Sequence, residues 1–218
     1  MGKEKTILYH SNKLFLSQGY IEATMRQIAE AADVSLGLAT YHYKTKRLIA
    51  VTVLVKYLNY LKGILAKELP PGSDPMVRSA AMIHLCNTFF MAEPRRNFFL
   101  QCLEKDIYME SIKSLGNEAM SEIAAAHHLN VSSDLLLLFD NYIPPAVERI
   151  LILEKEKGGF PNISYEDIPD IVFSITVERY VDKELIKKAA AEGSVTARSL
   201  LCQIPQDIDE ILFNETCM

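Results

Sequence analysis

The chain has 218 residues, a formal net charge of −5 at pH 7, and 49% hydrophobic residues. A chain of this length and apolar content can bury a substantial core, which excludes a disordered polypeptide. No apolar run approaches the roughly 18 residues that a membrane span requires, and the first residues lack the hydrophobic stretch of a secretion signal. We therefore expect a globular, cytoplasmic protein.

The charge is distributed unevenly along the chain. Residues 1–50 contain seven Lys or Arg and four Asp or Glu, so they carry +3, and the total of −5 leaves −8 on the rest. A polyanion would be attracted to the first segment and repelled by the second. Any contact with nucleic acid is therefore expected at the N-terminal end.

Apolar residues recur at helical spacing along nearly the whole chain, and no strand hairpin is apparent. The predicted fold class is all-α. The first helix should run from about Lys3 to Gln18, because Gly19 supplies a stop. Thr24 should cap the second helix, and Gln27 should complete a capping box with it.

Later helices follow from similar signals. After a break at Asp33, a third helix is predicted from about Ser35 to Tyr41, and a fourth should begin after a cap at Thr45 and end near Leu69. Prolines and glycines separate the remaining predicted helices, which cover about 76–92, 97–105, 111–127, 133–157 with a disturbance at its two prolines, and 165–202.

Residues 24–48 have the spacing of a helix-turn-helix, in which two short capped helices cross over a tight turn. Ala29 supplies the small residue where the helices touch, and Val34 supplies an apolar plug in the turn. The outward positions of the second of these helices are then free to enter a major groove about 12 Å wide. These positions are Leu36, Gly37, Leu38, Thr40 and Tyr41.

This segment resembles the N-terminal domain of the TetR family of bacterial transcriptional regulators. The resemblance implies a helix-turn-helix DNA-binding domain at residues 1–48 and a helical domain for ligand binding and dimerisation at residues 49–218. Beyond residue 50 the resemblance is only architectural. The matching positions are Ile7, Leu14, Phe15, Gly19, Tyr20, Thr24, Ile28, Ala29, Ala32, Val34, Ser35, Gly37, Tyr41, His42, Tyr43, Lys44, Thr45, Lys46 and Leu48.

The resemblance also implies which residues contact DNA. Thr24 and Arg26 would bind phosphate at the entry of the second helix, and phosphate contacts position a protein without reading sequence. On the backbone beside the recognition helix we expect contacts from Tyr41, His42 and Lys46, although His42 could be an ordinary surface residue. The predicted DNA-binding set is completed by Ser35 and by four residues that would read bases: Leu36, Gly37, Leu38 and Thr40.

A cluster of aromatic side chains in the middle of the chain is core by default, but in the resembled family the effector cavity lies among these helices. Some of the cluster would then line a pocket. Such a lining suits a largely apolar or aromatic effector with a few polar anchors. The candidate ligand-binding residues are Tyr57, Tyr60, Cys86, Asn87, Phe89, Phe90 and Phe99.

The last long helices are expected to pair with their copies in a second subunit, because their apolar positions are too extensive for one shallow layer. A buried monomer core is the alternative. A dimer would double the contacts on a palindromic site. The positions are Ile150, Leu151, Leu153, Ile168, Ile171, Val172 and Ile175.

No catalytic motif is visible, and no cofactor or metal is predicted. His127 and His128 point about 100° apart on a helix and cannot easily share one ion. The four cysteines are too far apart in the sequence for the closely spaced pairs of zinc or redox sites, so we expect free and mostly buried thiols. They are Cys86, Cys102, Cys202 and Cys217.

The predicted function is therefore that of a ligand-responsive transcriptional regulator, most simply a dimeric repressor released from a palindromic operator by a small effector. A transcriptional activator or a non-specific DNA-binding protein is the alternative that shares the same N-terminal domain. An enzyme built on a helical bundle is a remote alternative.

Overall fold

The structure is a computed structural model that describes residues 2–213. Within that range it contains helices and no strand, which confirms the all-α prediction. The helices are α1 (Lys3–Glu22), α2 (Met25–Ala31), α3 (Leu36–His42), α4 (Lys46–Glu68), α5 (Pro75–Met91), α6 (Arg96–Glu104), α7 (Ile107–Ser114), α8 (Ala119–Ala126), α9 (Ser133–Asn141), α10 (Ile143–Glu156), α11 (Ile168–Val177), α12 (Lys183–Gln203) and α13 (Ile208–Ile211).

The first three helices and the first turn of α4 form a small N-terminal head that packs on the rest of the chain, which we call the body. Phe15 of α1 is fully buried and stacks on Phe98 of α6, with ring centroids 5.0 Å apart. Gly19 interrupts α1 with φ +87°, where the sequence predicts its end. This positive φ favours glycine, and a Cβ atom there would also lie 2.6 Å from the side-chain nitrogen of Gln101 in the body.

Helix α4 runs from the head into the body. Its leucine stripe is confirmed, because Leu54, Leu58, Leu61 and Leu65 are all buried. By length and composition α4 could also cross a membrane, so the expectation that no segment reaches that length was wrong for this helix. Half of the apolar window is buried inside the fold, as in the core helix of a globular domain.

The body is built around α5 and α12, which lie against each other at very close range. Gly193 of α12 makes this possible, because a Cβ atom there would lie 2.7 Å from the Cβ of Ala80. A second apolar cluster continues from this contact toward α8 and α11, and its buried members include Met76, Ile123 and Phe173. The body therefore contains this second cluster in addition to the main core, which it shares with the head.

Three of the predicted helices are each divided in two. The helix predicted at 111–127 breaks at Gly116, which has φ +61°. The one predicted at 133–157 breaks at Tyr142, so that the prolines open α10 instead of disturbing a longer helix. The one predicted at 165–202 breaks before Asp182, whose side chain accepts a hydrogen bond from the Glu184 amide at 2.8 Å and caps α12.

The short α13 was not predicted, and a polar cluster fastens it to the rest of the fold. Asp209 accepts a hydrogen bond from the hydroxyl of Tyr57 at 2.7 Å and pairs with Arg95 at 2.8 Å. Arg95 also donates to the carbonyl oxygen of Phe89 at 2.9 Å. Because the side chains of Arg95 and Asp209 are only 11% and 14% exposed, this ion pair is largely withdrawn from water.

The cysteines are free thiols within the described residues, as expected. Cys86 and Cys102 are buried and Cys202 is exposed. Cys217 lies outside the described residues.

We expect Asp209→Ala to lower the free energy of unfolding by about 3 kcal/mol, because it leaves the Arg95 cation without its partner in a poorly hydrated site. Urea denaturation followed by circular dichroism measures this. The matched control is Lys187→Gln in the exposed pair with Glu184, for which the loss should stay below about 0.5 kcal/mol. Equal losses in the two variants would show that the Asp209 pair does not fasten α13.

Candidate DNA interface and effector cavity

The start of α2 is held by the predicted capping box. The hydroxyl oxygen of Thr24 accepts from the Gln27 amide at 3.2 Å, and the side-chain oxygen of Gln27 accepts from the Thr24 amide at 2.9 Å. These reciprocal bonds satisfy backbone donors at the helix entry. Thr24 and Arg26 are both exposed there, so they stand at the positive end of a well-formed helix.

The turn between α2 and α3 is tight and packed. Asp33 adopts φ +49°, a left-handed conformation that Asp tolerates better than most residues. Ala29 and Ala39 are buried, and the hydroxyl of Ser35 accepts from the Leu38 amide at 3.1 Å to cap α3. These local contacts hold α3 at a defined angle on the head.

One edge of α3 is presented to solvent. Tyr41 is 80% exposed and Leu36 is 43% exposed, which is unusual for large apolar or aromatic side chains. Gly37 and Thr40 are exposed as well, while Leu38 is half-buried. The residues predicted to read bases thus lie mostly on an accessible helix edge.

His42, the other predicted backbone contact on α3, lies in the last turn of that helix. It is half-buried, and its ring packs edge-on against that of Tyr41 at 5.4 Å. Tyr43, which immediately follows it, is buried in the core of the head.

Lys46 has protein partners in this structure. Its ammonium donates to the carbonyl oxygens of Tyr20 at 2.7 Å, Ile21 at 3.1 Å and Ala23 at 2.6 Å, at the end of α1. Burial lowers the pKa of this amine, with a weaker opposing effect from Glu22. The predicted phosphate contact of Lys46 remains a prediction, and the structure adds a second role in joining α4 to α1.

The neighbouring Arg47 was not predicted to have a functional role, yet it joins the head to the body. Its guanidinium donates to the carbonyl oxygen of Lys105 at 2.7 Å and pairs with Glu110 at 2.7 Å. From the other side, Arg149 of α10 donates to the carbonyl oxygen of Leu103 at 2.7 Å and lies 3.0 Å from the carboxylate of Asp106. Two arginines therefore bind the turn between α6 and α7.

The body contains a cavity of about 1150 Å³. Helices α4, α5, α7, α8 and α10 supply most of its wall, which is largely apolar and includes Leu65, Met82 and Ile112. A volume of this size can hold a drug-sized molecule.

Among the seven predicted ligand-binding residues, Cys86 lines this cavity. The others do not belong to its wall, because the aromatic cluster packs on itself: Phe90 stacks on Phe99 with centroids 5.0 Å apart. Tyr57 is buried against Phe89 and Phe90, Tyr60 is half-buried on α4, and Asn87 is buried behind the wall. The cluster is thus part of the hydrophobic core.

Sequence reasoning missed a buried acid in the wall of the cavity. Glu148 of α10 lines the cavity and is only 5% exposed, and its carboxyl accepts from the side-chain amide of Asn87 at 3.2 Å. Tyr108 provides a further hydrogen bond. Burial raises the pKa of Glu148 to about 7, against a smaller lowering by these two hydrogen bonds. A helical Glu that is followed by Arg149 resembles an ordinary surface position, so the sequence carries no signal of this environment.

Charged side chains also stand at the outer part of the cavity. Arg78 of α5 pairs with Glu122 of α8, and the Nε2 atom of His127 lies 3.8 Å from the carboxylate of Asp74. His128 is exposed. Over residues 2–213 no group of three or more potential ligands is arranged to hold a metal ion.

An all-α chain with a capped, solvent-facing helix-turn-helix and a separate cavity in its body has the architecture of a DNA-binding transcription regulator. Residues 7–51 match the family described as bacterial regulatory proteins, tetR family. The resemblance to the TetR family is thereby confirmed over this segment, and the chain has the all-α fold seen in that family. No curated relative matches the chain in sequence.

Several solved structures share the fold at low sequence identity. RolR in complex with resorcinol superposes with a TM-score of 0.62 at 12% identity, over 89% of this chain and 92% of that one. SmeT of Stenotrophomonas maltophilia, the repressor of the multidrug efflux pump SmeDEF, superposes with a TM-score of 0.55 at 13% identity, over 83% of this chain and 91% of that one. The TetR regulator tylp of Streptomyces fradiae superposes with a TM-score of 0.55 at 14% identity, over 91% of this chain and 96% of that one.

The raised pKa of Glu148 predicts a pH-dependent stability. The pKa of this acid is 4.5 in the unfolded chain and about 7 in the folded chain. Between pH 4.5 and pH 7 the folded state therefore binds the proton more tightly than the unfolded state. Stability should therefore fall as pH rises through this window, by at most about 3 kcal/mol. Glu148→Gln should remove this part of the pH profile in urea denaturation between pH 5 and pH 8.

Glu122→Gln, at the outer part of the same cavity, serves as the control and should keep the wild-type profile. A Glu148→Gln profile that coincides with that of the wild type would show that the carboxyl is not held in a desolvated site.

Proposed function

We propose that this chain is a cytoplasmic repressor of transcription that binds a palindromic operator as a homodimer and leaves it when a small effector occupies the body. Residues 1–48 would bind DNA, and residues 49–218 would bind the effector and dimerise. The observation that carries the proposal is the exposed edge of α3, which displays Leu36, Gly37, Thr40 and Tyr41 on a positively charged head.

On DNA, α3 would lie in the major groove with its exposed edge toward the bases. Leu36 and Leu38 favour contact with thymine methyl groups or readout of DNA shape. Thr24 and Arg26 would bind phosphate at the start of α2, while Tyr41, His42 and Lys46 would contact the backbone on the other side. In this arrangement the hydroxyl of Ser35 remains the cap of α3.

A dimer is supported by apolar side chains left at the surface of the C-terminal half. Ile150 of α10 is 50% exposed and Ile175 of α11 is 39% exposed. Leu153 and Ile171 are half-buried, whereas three of the seven predicted interface positions belong to the core of the single chain. Those three are Leu151, Ile168 and Val172.

Release from DNA would use the contacts between body and head. Glu148 lines the cavity, and the next residue, Arg149, holds the turn between α6 and α7. Arg47 at the start of α4 binds the same turn. A shift of α10 on effector binding would therefore move the point where the head is attached to the body. The effector must bind the DNA-incompetent state more tightly, with couplings of roughly 1 to 3 kcal/mol in typical cases.

The cavity wall supports a largely apolar or aromatic effector. Two proteins of similar fold are described with small aromatic molecules, RolR with resorcinol and SmeT with triclosan. Their sequences are too different for any contact to be transferred, but both are consistent with a body cavity that receives an aromatic compound.

Selection from a random DNA pool tests the DNA-binding role without knowledge of the operator. A sequence-specific dimer should enrich a two-fold symmetric motif whose half-sites lie about one helical turn, or a multiple of it, apart. Binding without an enriched motif would favour a non-specific DNA-binding protein, and no binding even at low salt would defeat the proposal.

On the selected fragment, Tyr41→Ala should weaken DNA binding by roughly tenfold, because an exposed side chain at the proposed interface contributes to binding and little to folding. Fluorescence anisotropy measures the affinity, and thermal unfolding should be unchanged. Tyr142→Ala, an exposed tyrosine of the body, is the matched control and should bind like the wild type. Equal affinity of Tyr41→Ala and wild type would place the DNA elsewhere.

A further inference from the structure

We infer that the effector carries a protonated nitrogen, and that Glu148 is the residue that binds it. This inference deepens the proposed function, since it assigns the chemical class of the molecule that occupies the cavity. It rests on the placement of one buried acid and on the distribution of charge along the cavity wall.

The first observation is the position of the carboxyl. Glu148 is 5% exposed and lines the cavity, while its neighbours there are the thiol of Cys86 and the phenol of Tyr108. Its hydrogen-bond partners, Asn87 and Tyr108, are both neutral donors. Within the described residues no ion pair is formed by Glu148, so an ionised carboxylate at this depth lacks a compensating positive charge.

Such an arrangement is costly for the protein alone. A buried carboxylate is stable only when it is paired with a cation or fully hydrogen-bonded, and a carboxylate has about four acceptor positions. The two neutral donors leave some of these positions open toward the cavity. A protonated amine or amidine in the cavity would supply both the missing charge and the missing donors.

The second observation is the charge of the rest of the wall. Apart from Glu148, the acidic residues that line the cavity are Asp74, Glu118 and Glu122, and the basic ones are Lys62 and Arg78, which gives −1 from Asp, Glu, Lys and Arg. Arg78 is already paired with Glu122. An anionic effector would meet an unfavourable potential, whereas a cationic one would be attracted into the cavity.

The third observation is that the remaining wall is apolar. Leu65, Met82, Ile112 and Val172 line the same cavity. The geometry therefore selects an amphipathic cation, in which an aromatic or aliphatic body fills the apolar part and one nitrogen reaches Glu148. A neutral aromatic compound would fill the apolar part but leave the carboxyl without its partner.

A matched pair of probes tests this inference on the DNA-free full chain. Biphenyl-4-ylmethylamine and biphenyl-4-ylmethanol have the same shape and differ in the charged amine. Isothermal titration calorimetry at pH 7.5 should show at least tenfold tighter binding of the amine, as expected for a charge-assisted hydrogen bond. Equal binding of the two probes, tighter binding of the alcohol or no binding of either would overturn the inference.

Glu148→Gln assigns the preference to one residue. The variant should lose about tenfold in affinity for the amine and keep its affinity for the alcohol within about twofold. Glu122→Gln, which removes an acid from the outer wall, should keep the preference for the amine. A preference that survives Glu148→Gln would overturn the assignment.

If Glu148→Gln does not fold, the wild-type comparison of amine and alcohol still decides whether a cation is selected. Because the titrations contain no DNA, they are independent of the proposed operator binding. A chain that selects the amine but binds no DNA would sustain this inference and contradict the proposed function, and the converse result would do the opposite.

Discussion

Two adjacent cations at the beginning of α4 hold the head in place on the body. Lys46 donates to three carbonyl oxygens at the end of α1, and Arg47 donates to the turn between α6 and α7. Unpaired carbonyl oxygens at helix ends carry a partial negative charge, so both contacts are electrostatically favourable. The helix that leads into the body therefore begins at a point anchored on both sides.

The other features of the molecule depend on these two contacts. The capped helices α2 and α3 pack on each other and on α1, and Lys46 of α4 binds the end of α1. The cavity lies further along α4. Glu148 of α10 lines it, and the adjacent Arg149 binds the turn between α6 and α7 that Arg47 also binds. Occupancy of the cavity and orientation of the head thus depend on one set of packed elements, as a regulator with two separated sites requires.

The head could be predicted from the sequence because its structure is set by local rules. The Thr24 capping box, the stop at Gly19 and the cap at Ser35 each involve residues within a few positions of one another. The cavity could not be predicted in the same way, since helices and loops that are distant in sequence form its wall. Glu148 looked like an ordinary polar position of a helix, and the aromatic residues that seemed suited to a ligand instead fill the core around Tyr57.

The anchoring is tested most directly by the distance between head and body in solution. Spin labels at Tyr41→Cys and Val195→Cys, two highly exposed positions, can be measured by pulsed electron paramagnetic resonance in a chain with Cys202 and Cys217 replaced by serine. Dilution with unlabelled protein restricts the signal to single chains. We predict one narrow distance distribution, which broadens in Arg47→Ala. A broad distribution in the parent chain, or no change in Arg47→Ala, would contradict the account.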